Sequence, residues 1–211
     1  TLSPPDVLGL AYIVWDSITV NAGSTLTIQP GTVVKFNPET YLNVNGVLLA
    51  QGTSSEPIVF TAVWDDTYGG NSGDGSTRWR SIWLNGSGSV MDYTLVRYGG
   101  RSSSSPYYDN MVRIGSGSAV RNSTLENLNG STSYYYGAVA VGSGGELRNS
   151  VVRNNPYGVA VTGSGATLVG NTVTNNTYPV VHTSPGVQVS YIGNDLGGNT
   201  YQAVVLPGGT I

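Results

Sequence analysis

"MVRIGSGSAVRNSTLENL" (residues 111–128), "AVAVGSGGELRNSVVRNN" (138–155) and "GVAVTGSGATLVGNTVTNN" (158–176) can be written one beneath another. Each reads as an apolar strand, a Gly-Ser turn, a second short strand, an Asn and a third strand. Working outward, "SIWLNGSGSVMDYTLVRY" (81–98) and "VVHTSPGVQVSYIGNDL" (180–196) follow the same plan, and "AVVLPGGTI" (203–211) starts another copy. Three β segments recur about every 20–23 residues with no helical spacing, the pattern of a solenoid whose neighbouring repeats bury one another's apolar faces. The fold expected is all-β, a parallel β-helix with one repeat per rung.

Vertical columns follow from the alignment. Asp92, Asn122, Asn149, Asn171 and Asn194 fall between the second and third segments, where a tight corner needs a residue tolerant of positive φ, so they are expected to form one ladder. Tyr136, Tyr157, Tyr178 and Tyr201 precede the first strand of successive repeats and are expected to stack along the axis. Upstream, alternation in "TLTIQ" and "LNVNGVLLA" puts Leu26, Ile28, Leu42, Val44 and Leu48 on an inner face. A single β-helix domain is therefore expected over 14–211, with 1–13 as a leader or cap on the first strand edge.

Composition agrees with this class. Of 211 residues, 39% are hydrophobic, enough for one sizeable core. Thirty glycines, and 14 tyrosines against 2 phenylalanines, suit a turn-rich β protein whose aromatics meet water through their hydroxyls. Only 10% of residues are charged and the net charge is -3, which leaves no basic surface for nucleic acid. Without cysteine there is neither a disulfide framework nor a thiolate metal site. The longest apolar run, "VLGLAYIVW" (7–15), is far shorter than the roughly 20 residues that cross a bilayer, so no membrane span is expected.

"STLTIQPGTVVKF", "LNVNGVLLAQGTSSEPIVFTA", "DDTYGGNSGDGSTRWRSIWL" and "VMDYTLVRYGG" together resemble the right-handed parallel β-helix repeat proteins of bacterial and archaeal cell surfaces. The resemblance covers nearly everything after residue 14. It implies a right-handed helix and an extracellular, secreted or cell-surface location, but no particular reaction.

Three insertions precede first strands at 65–80, 99–110 and 129–137, and are expected to protrude on one side and wall a groove. Trp83 and Arg113 should face outward on that side by alternation of "IWL" and "VRI", ringed by Tyr68, Tyr107, Tyr108, Tyr134 and Tyr135. Aromatic faces among Arg, Asp and Asn suit a polysaccharide; the alternative is that these tyrosines only pack their loops onto the solenoid. A one-residue slip of strand phase is expected between 138–141 and 158–161.

The acidic loop "DDTYGGNSGDGS" offers Asp65, Asp66, Asn71 and Asp74 to Ca²⁺, a hard cation that takes carboxylate and carbonyl oxygens. It lacks the EF-hand spacing, and a turn held by Asx hydrogen bonds is the other reading. Similar loops recur in the family it resembles. His182, in "PVVHTSPG", has no Ser or Asp at motif spacing and is expected to be structural. Asp109 and Arg113 are the pair a lyase would use, beside the acidic loop.

"QAVVLPGGTI" ends without a polar cap, so either the chain is a fragment or copies join end to end by strand addition. The function expected is a non-enzymatic extracellular β-solenoid with a structural or adhesive role that assembles end to end into filaments. The alternative is a carbohydrate-binding or lyase-like module using the groove. Its partners are accordingly other copies of itself or a cell-surface polysaccharide.

Overall fold

A computed structural model describes residues 1–4, 9–100, 110–128 and 137–208. The chain is a right-handed parallel β-helix with no helix among the described residues. Sheet I is built from Tyr12–Val14, Val33–Phe36, Ile58–Ala62, Thr94–Arg97, Thr124–Glu126, Val151–Arg153 and Thr172–Thr174. Sheet II holds Ile18–Val20, Leu42–Val44, Ile82–Leu84, Val112–Ile114, Val139–Val141, Tyr157–Val161, Tyr178–His182 and Val204–Val205. Sheet III contains Thr25–Ile28, Val47–Gln51, Val90–Asp92, Ala119–Arg121, Glu146–Arg148, Ala166–Val169 and Val189–Ile192.

The chain runs from sheet I to sheet II to sheet III and back, one circuit per rung. Period-two alternation directs one set of residues inward. Ile28, Leu42, Val44 and Leu48 are buried, as their pattern predicts, and Leu26 packs half-buried against the same core. Rungs lie in phase: Val139, Ala140 and Val141 pair with Val159, Ala160 and Val161, so the expected slip does not occur. The solenoid starts at Tyr12, which pairs with Val34; before it, Leu2 bridges to Ile28 and covers part of the sheet III edge.

Corners are where a β-helix must satisfy backbone groups that leave the ladder, and two of the three corners use one device. Between sheets III and I, a residue at positive φ makes the turn: Tyr93 (46°), Asn122 (46°), Asn149 (49°), then Gly170 (63°) and Gly193 (59°). The next residue turns inward. The Thr94 N–H donates to Ser123 Oγ at 3.0 Å, Ser123 N–H to Ser150 Oγ at 3.2 Å, Ser150 N–H to Asn171 Oδ1 at 3.0 Å and Asn171 N–H to Asn194 Oδ1 at 3.0 Å.

The expected single ladder is therefore corrected. Asp92 ends a sheet III strand and accepts from Asn122 Nδ2 at 2.8 Å. Asn122 and Asn149 stand in the positive-φ column, while Asn171 and Asn194 belong to the inner polar column one residue later. Glycine takes over the left-handed position in the later rungs, which shifts asparagine inward by one. Spacing alone does not register this, because both columns favour Asn for different reasons.

Between sheets I and II the same arrangement recurs with a purer ladder. Tyr98, Asn127, Asn154, Asn175 and Gly198 have positive φ. Leu128 N–H donates to Asn155 Oδ1 at 2.8 Å, Asn155 N–H to Asn176 Oδ1 at 3.0 Å and Asn176 N–H to Asn199 Oδ1 at 2.9 Å. Each amide nitrogen returns the favour to carbonyls: Asn176 Nδ2 donates to Val152 O at 3.0 Å and Thr174 O at 2.9 Å. Outside this corner Tyr157 and Tyr178 stack at 5.5 Å and 7°, and Tyr178 and Tyr201 at 4.8 Å and 22°. Tyr136 lies outside the described residues.

The rung over 178–192 changes the chemistry of the core. His182 stands in register with Val161 and Tyr191 with Leu168, both apolar inner positions one rung earlier. His182 Nε2 and Tyr191 Oη lie 2.7 Å apart, so the buried imidazole has a polar partner. Burial pushes the His182 imidazole below its ordinary value and the Tyr191 phenol up to about 12.

Two outcomes are expected. Asn176→Ala leaves buried amide and carbonyl groups without partners and costs about 2 kcal/mol, read as a fall of several degrees in melting temperature; Asn176→Asp, which turns a donor into a second acceptor facing carbonyls, is worse. An unchanged melting temperature in both variants contradicts the ladder. For His182, the unfolded chain binds its proton below about pH 6.5 while the folded one resists it, so stability falls as pH drops below that point. His182→Val, which repeats the residue of the two preceding rungs, removes part of the melting-temperature loss between pH 7 and 5; the same loss in both proteins refutes the assignment.

Candidate functional site

The three long connections, 63–81, 98–111 and 127–138, all leave sheet I and enter sheet II. Residues 101–109 and 129–136 of the second and third, with Tyr107, Tyr108, Asp109, Tyr134 and Tyr135, lie outside the described residues. The first is described throughout, and it does not wall a groove on sheet II as the sequence suggested. It folds over the outer face of sheet I.

The reason is charge. The outward column of sheet I reads Ile13, Lys35, Thr61, Arg97, Glu126, Arg153 in register. Lys35 is fully buried and donates through Nζ to the carbonyl of Gly70. Burial lowers its pKa, and the carboxylates of Asp66 and Asp65 oppose that shift. Asp65, itself buried, accepts from Thr61 Oγ1 at 2.6 Å and the Thr67 N–H at 3.3 Å, and its Oδ2 is 3.6 Å from Arg97 Nε. Glu126 continues the chain of charges, 3.7 Å from Arg97 and 2.8 Å from Arg153.

Tyr68 therefore sits over Arg97, at 5.8 Å, and not beside Trp83. The loop closes by burying Trp79, stacked on Phe36 at 4.5 Å with its Nε1 donating to Arg97 O at 3.0 Å. Gly99 permits this, since a Cβ there would stand 2.8 Å from the indole.

These contacts engage part of the donor set expected for Ca²⁺. Asp65 is committed to Thr61, Thr67 and Arg97, while Asp66, Asn71 and Asp74 are exposed. No group of three His, Cys, Asp or Glu side chains among the described residues is placed to hold a metal. Inside the loop the ammonium of Lys35 donates to the Gly70 carbonyl, one of the oxygens the loop presents.

Sheet II is different in character. No strand of it carries Asp or Glu, and its outward column runs Asn43, Trp83, Arg113, Ala140, Ala160, Val181 in register. Trp83 and Arg113 are thus brought together as the alternation predicted. Tyr41 and Arg80 join them: the Tyr41 and Trp83 rings are 4.6 Å apart, and the Arg80 guanidinium lies 5.4 Å from the first and 5.2 Å from the second. Arg113 is 5.8 Å from the Trp83 ring. The Trp83 Nε1 is buried and has no acceptor in the protein.

Beyond Arg113 the small side chains of Ala140 and Ala160 keep the sheet face low. A groove of about 460 Å³ opens there, lined by Arg113, Asn110, Ala140, Thr162 and Thr183 among others. Asn110 is anchored, its Nδ2 donating to Gly137 O at 2.7 Å. Sequence reasoning missed Tyr41 and Arg80. A signal for Arg80 was present, since it precedes Ile82 by two residues as Tyr157 precedes Val159, the position of the tyrosine stack.

No protein-family profile matches the chain. A 48-residue stretch is 46% identical to Protein bark beetle of Drosophila melanogaster, a match covering 23% of this chain and 2% of that protein. No helix among the described residues is long and apolar enough to cross a membrane.

If Lys35 holds the loop, adding Ca²⁺ or a chelator leaves the melting temperature where it was, because a ligand that binds neither state shifts nothing. Lys35→Ala lowers it by several degrees. A Ca²⁺-dependent rise in melting temperature that disappears in Asp65→Ala overturns this account of the loop.

Proposed function

We propose that this chain is a non-enzymatic extracellular β-solenoid with an adhesive role, and that the outer face of sheet II holds a polysaccharide chain lying along the solenoid axis. The observation that carries the reading is the juxtaposition, on one sheet face, of the Tyr41–Trp83–Arg80–Arg113 cluster with the groove over Ala140. An elongated polymer suits such a face, because a parallel sheet repeats its outward column at every rung, about 4.8 Å apart, and offers a periodic row of contacts. Small residues flanked by Thr162 and Thr183 put hydroxyl groups at the rim, the balance typical of sites that orient polar ligands.

The test is retention on a glycan array. The protein is expected to bind a subset of extended glycans, and Thr162→Trp, a change at an exposed position on the groove wall, removes retention at unchanged melting temperature. No retention by the unaltered protein, or full retention by the variant, refutes the reading.

Apolar exposure at both end rungs favours a second reading. Ile13 (42%), Trp15 (73%) and Ile18 (40%) in the first rung, and Ile192 (57%) and Leu206 (59%) in the last two, are exposed. Joining of copies end to end would use them, and it predicts filaments in negative-stain electron microscopy; discrete particles at every concentration would dismiss it.

A further inference from the structure

We infer that the corner between sheets I and II carries a second binding site, a groove that takes a neutral glycan through hydrogen bonds to the side-chain amides of Asn154 and Asn175. The site stands apart from the sheet II face and does not depend on the reading of that face.

The groove follows from the ladder. Asn155 and Asn176 turn inward and commit their amides to the backbone of their own and neighbouring rungs, which leaves the corner without an outward side chain along that line. On one side stands the positive-φ column, with Asn154 and Asn175 exposed. On the other stand Pro156, Thr177 and Thr200 in successive rungs, tied together by bonds from the Tyr178 N–H to Pro156 O at 3.1 Å and from the Tyr201 N–H to Thr177 O at 2.9 Å. The trough between the two columns has a volume of about 400 Å³.

Its outward polar groups are open. Among the described residues the side chains of Asn154, Asn175, Thr177 and Thr200 make no hydrogen bond. Positive φ accounts for asparagine at 154 and 175 as it accounts for Gly198 one rung later, but asparagine leaves an amide on the surface where glycine leaves nothing. A carboxamide sets a donor beside an acceptor, and two neighbouring hydroxyls of a sugar ring can answer both. Asn154 and Asn175 occupy equivalent places in adjacent rungs, about 4.8 Å apart along the axis, so an extended glycan meets one after the other.

Charge selects the class of glycan. Arg78 lines one end of the groove, where its guanidinium donates to Asn127 O at 2.7 Å and lies 5.5 Å from the Tyr98 ring. The rest of the lining is uncharged. A carboxylated or sulfated chain would lose water along the amides with no cation there to compensate, whereas the hydroxyls of a neutral chain exchange water for amide and threonine partners. The stack of Tyr178 on Tyr201 at 4.8 Å holds the backbone beside Thr177 and Thr200, so the groove is formed before a ligand arrives.

The experiment is calorimetric titration of the full chain with cellohexaose, mannohexaose and laminarihexaose, in the unaltered protein and in Thr162→Trp, which fills the sheet II groove. At least one of these neutral hexasaccharides is expected to bind both proteins, with an affinity that changes by less than about twofold between low and high salt because no ion pair is screened. Asn154→Gly combined with Asn175→Gly keeps the left-handed backbone, as Gly198 does, and lowers that affinity by about tenfold or more. Thr177→Val, which removes one hydroxyl, lowers it by about threefold or more. Melting temperatures stay close to the parent's throughout. Binding that Thr162→Trp abolishes overturns the corner site and leaves the sheet II reading in place. Asparagine variants that bind as well as their parent overturn it too, and so does silence of all three hexasaccharides with the unaltered protein; the glycan array judges sheet II separately.

Discussion

Everything in this molecule depends on satisfying the backbone at corners that recur every rung. Within the sheets, parallel ladders pair each strand with its neighbours above and below, but at a corner the chain turns and an N–H of one rung faces the next with no carbonyl in line. Side chains close the gap. Ser123, Ser150, Asn171 and Asn194 at one corner, and Asn155, Asn176 and Asn199 at another, accept from the backbone of the preceding rung through contacts of 2.8–3.2 Å. Asparagine is the most complete solution because its amide accepts from one rung and donates to carbonyls of its own and the previous one. Each rung thereby fixes the height and phase of the next, which is why the outward columns stay in register and a multi-rung surface exists at all.

The fold was legible because it is written as repetition. A strand–turn–strand–Asn–strand unit seen several times over specifies parallel stacking more strongly than any single strand could, and the inner face followed from period-two alternation at Leu42, Val44 and Leu48. The ladder was half legible. Asn was expected at the III–I corner, but two adjacent positions there want Asn for separate reasons, positive φ in one and inward hydrogen bonding in the other, and only pairing register separates them. The doubled "NN" at 154–155 and 175–176, 21 residues apart, was the same signal in open view: the first of each pair takes positive φ and the second builds the ladder.

The acidic loop shows what tertiary contacts add to composition. "DDTYGGNSGDGS" has the oxygen-rich, glycine-rich character of a cation loop, and the ammonium of Lys35, carried on a strand 30 residues earlier, donates to its Gly70 carbonyl. Nothing local to the loop reports this. Lys35 lies in "TVVKF", where alternation places it outward and solvent would be the default neighbour. Its burial follows only once residues 65–80 fold back over sheet I and bring Trp79 onto Phe36.

The three faces of the solenoid thus differ in what they do with positive charge. Sheet I buries Lys35 under a loop and lays Arg97 and Arg153 against Glu126; sheet III holds Glu146 between Arg121 and Arg148, and the hydrogen bond from Arg148 keeps that carboxyl below the usual range. Such pairs are geometrically quiet: a charge matched within its own sheet has little left to offer a diffusing ion. On sheet II, Arg113 lies over the Trp83 ring and Arg80 over the rings of Trp83 and Tyr41. The quadrupole of a ring positions a guanidinium by attraction to its face. Ring contact and ion pairing are two ways to hold a long cation on a flat sheet face, and they combine on sheet I, where Arg97 meets both Glu126 and, at 4.4 Å, the Tyr98 ring.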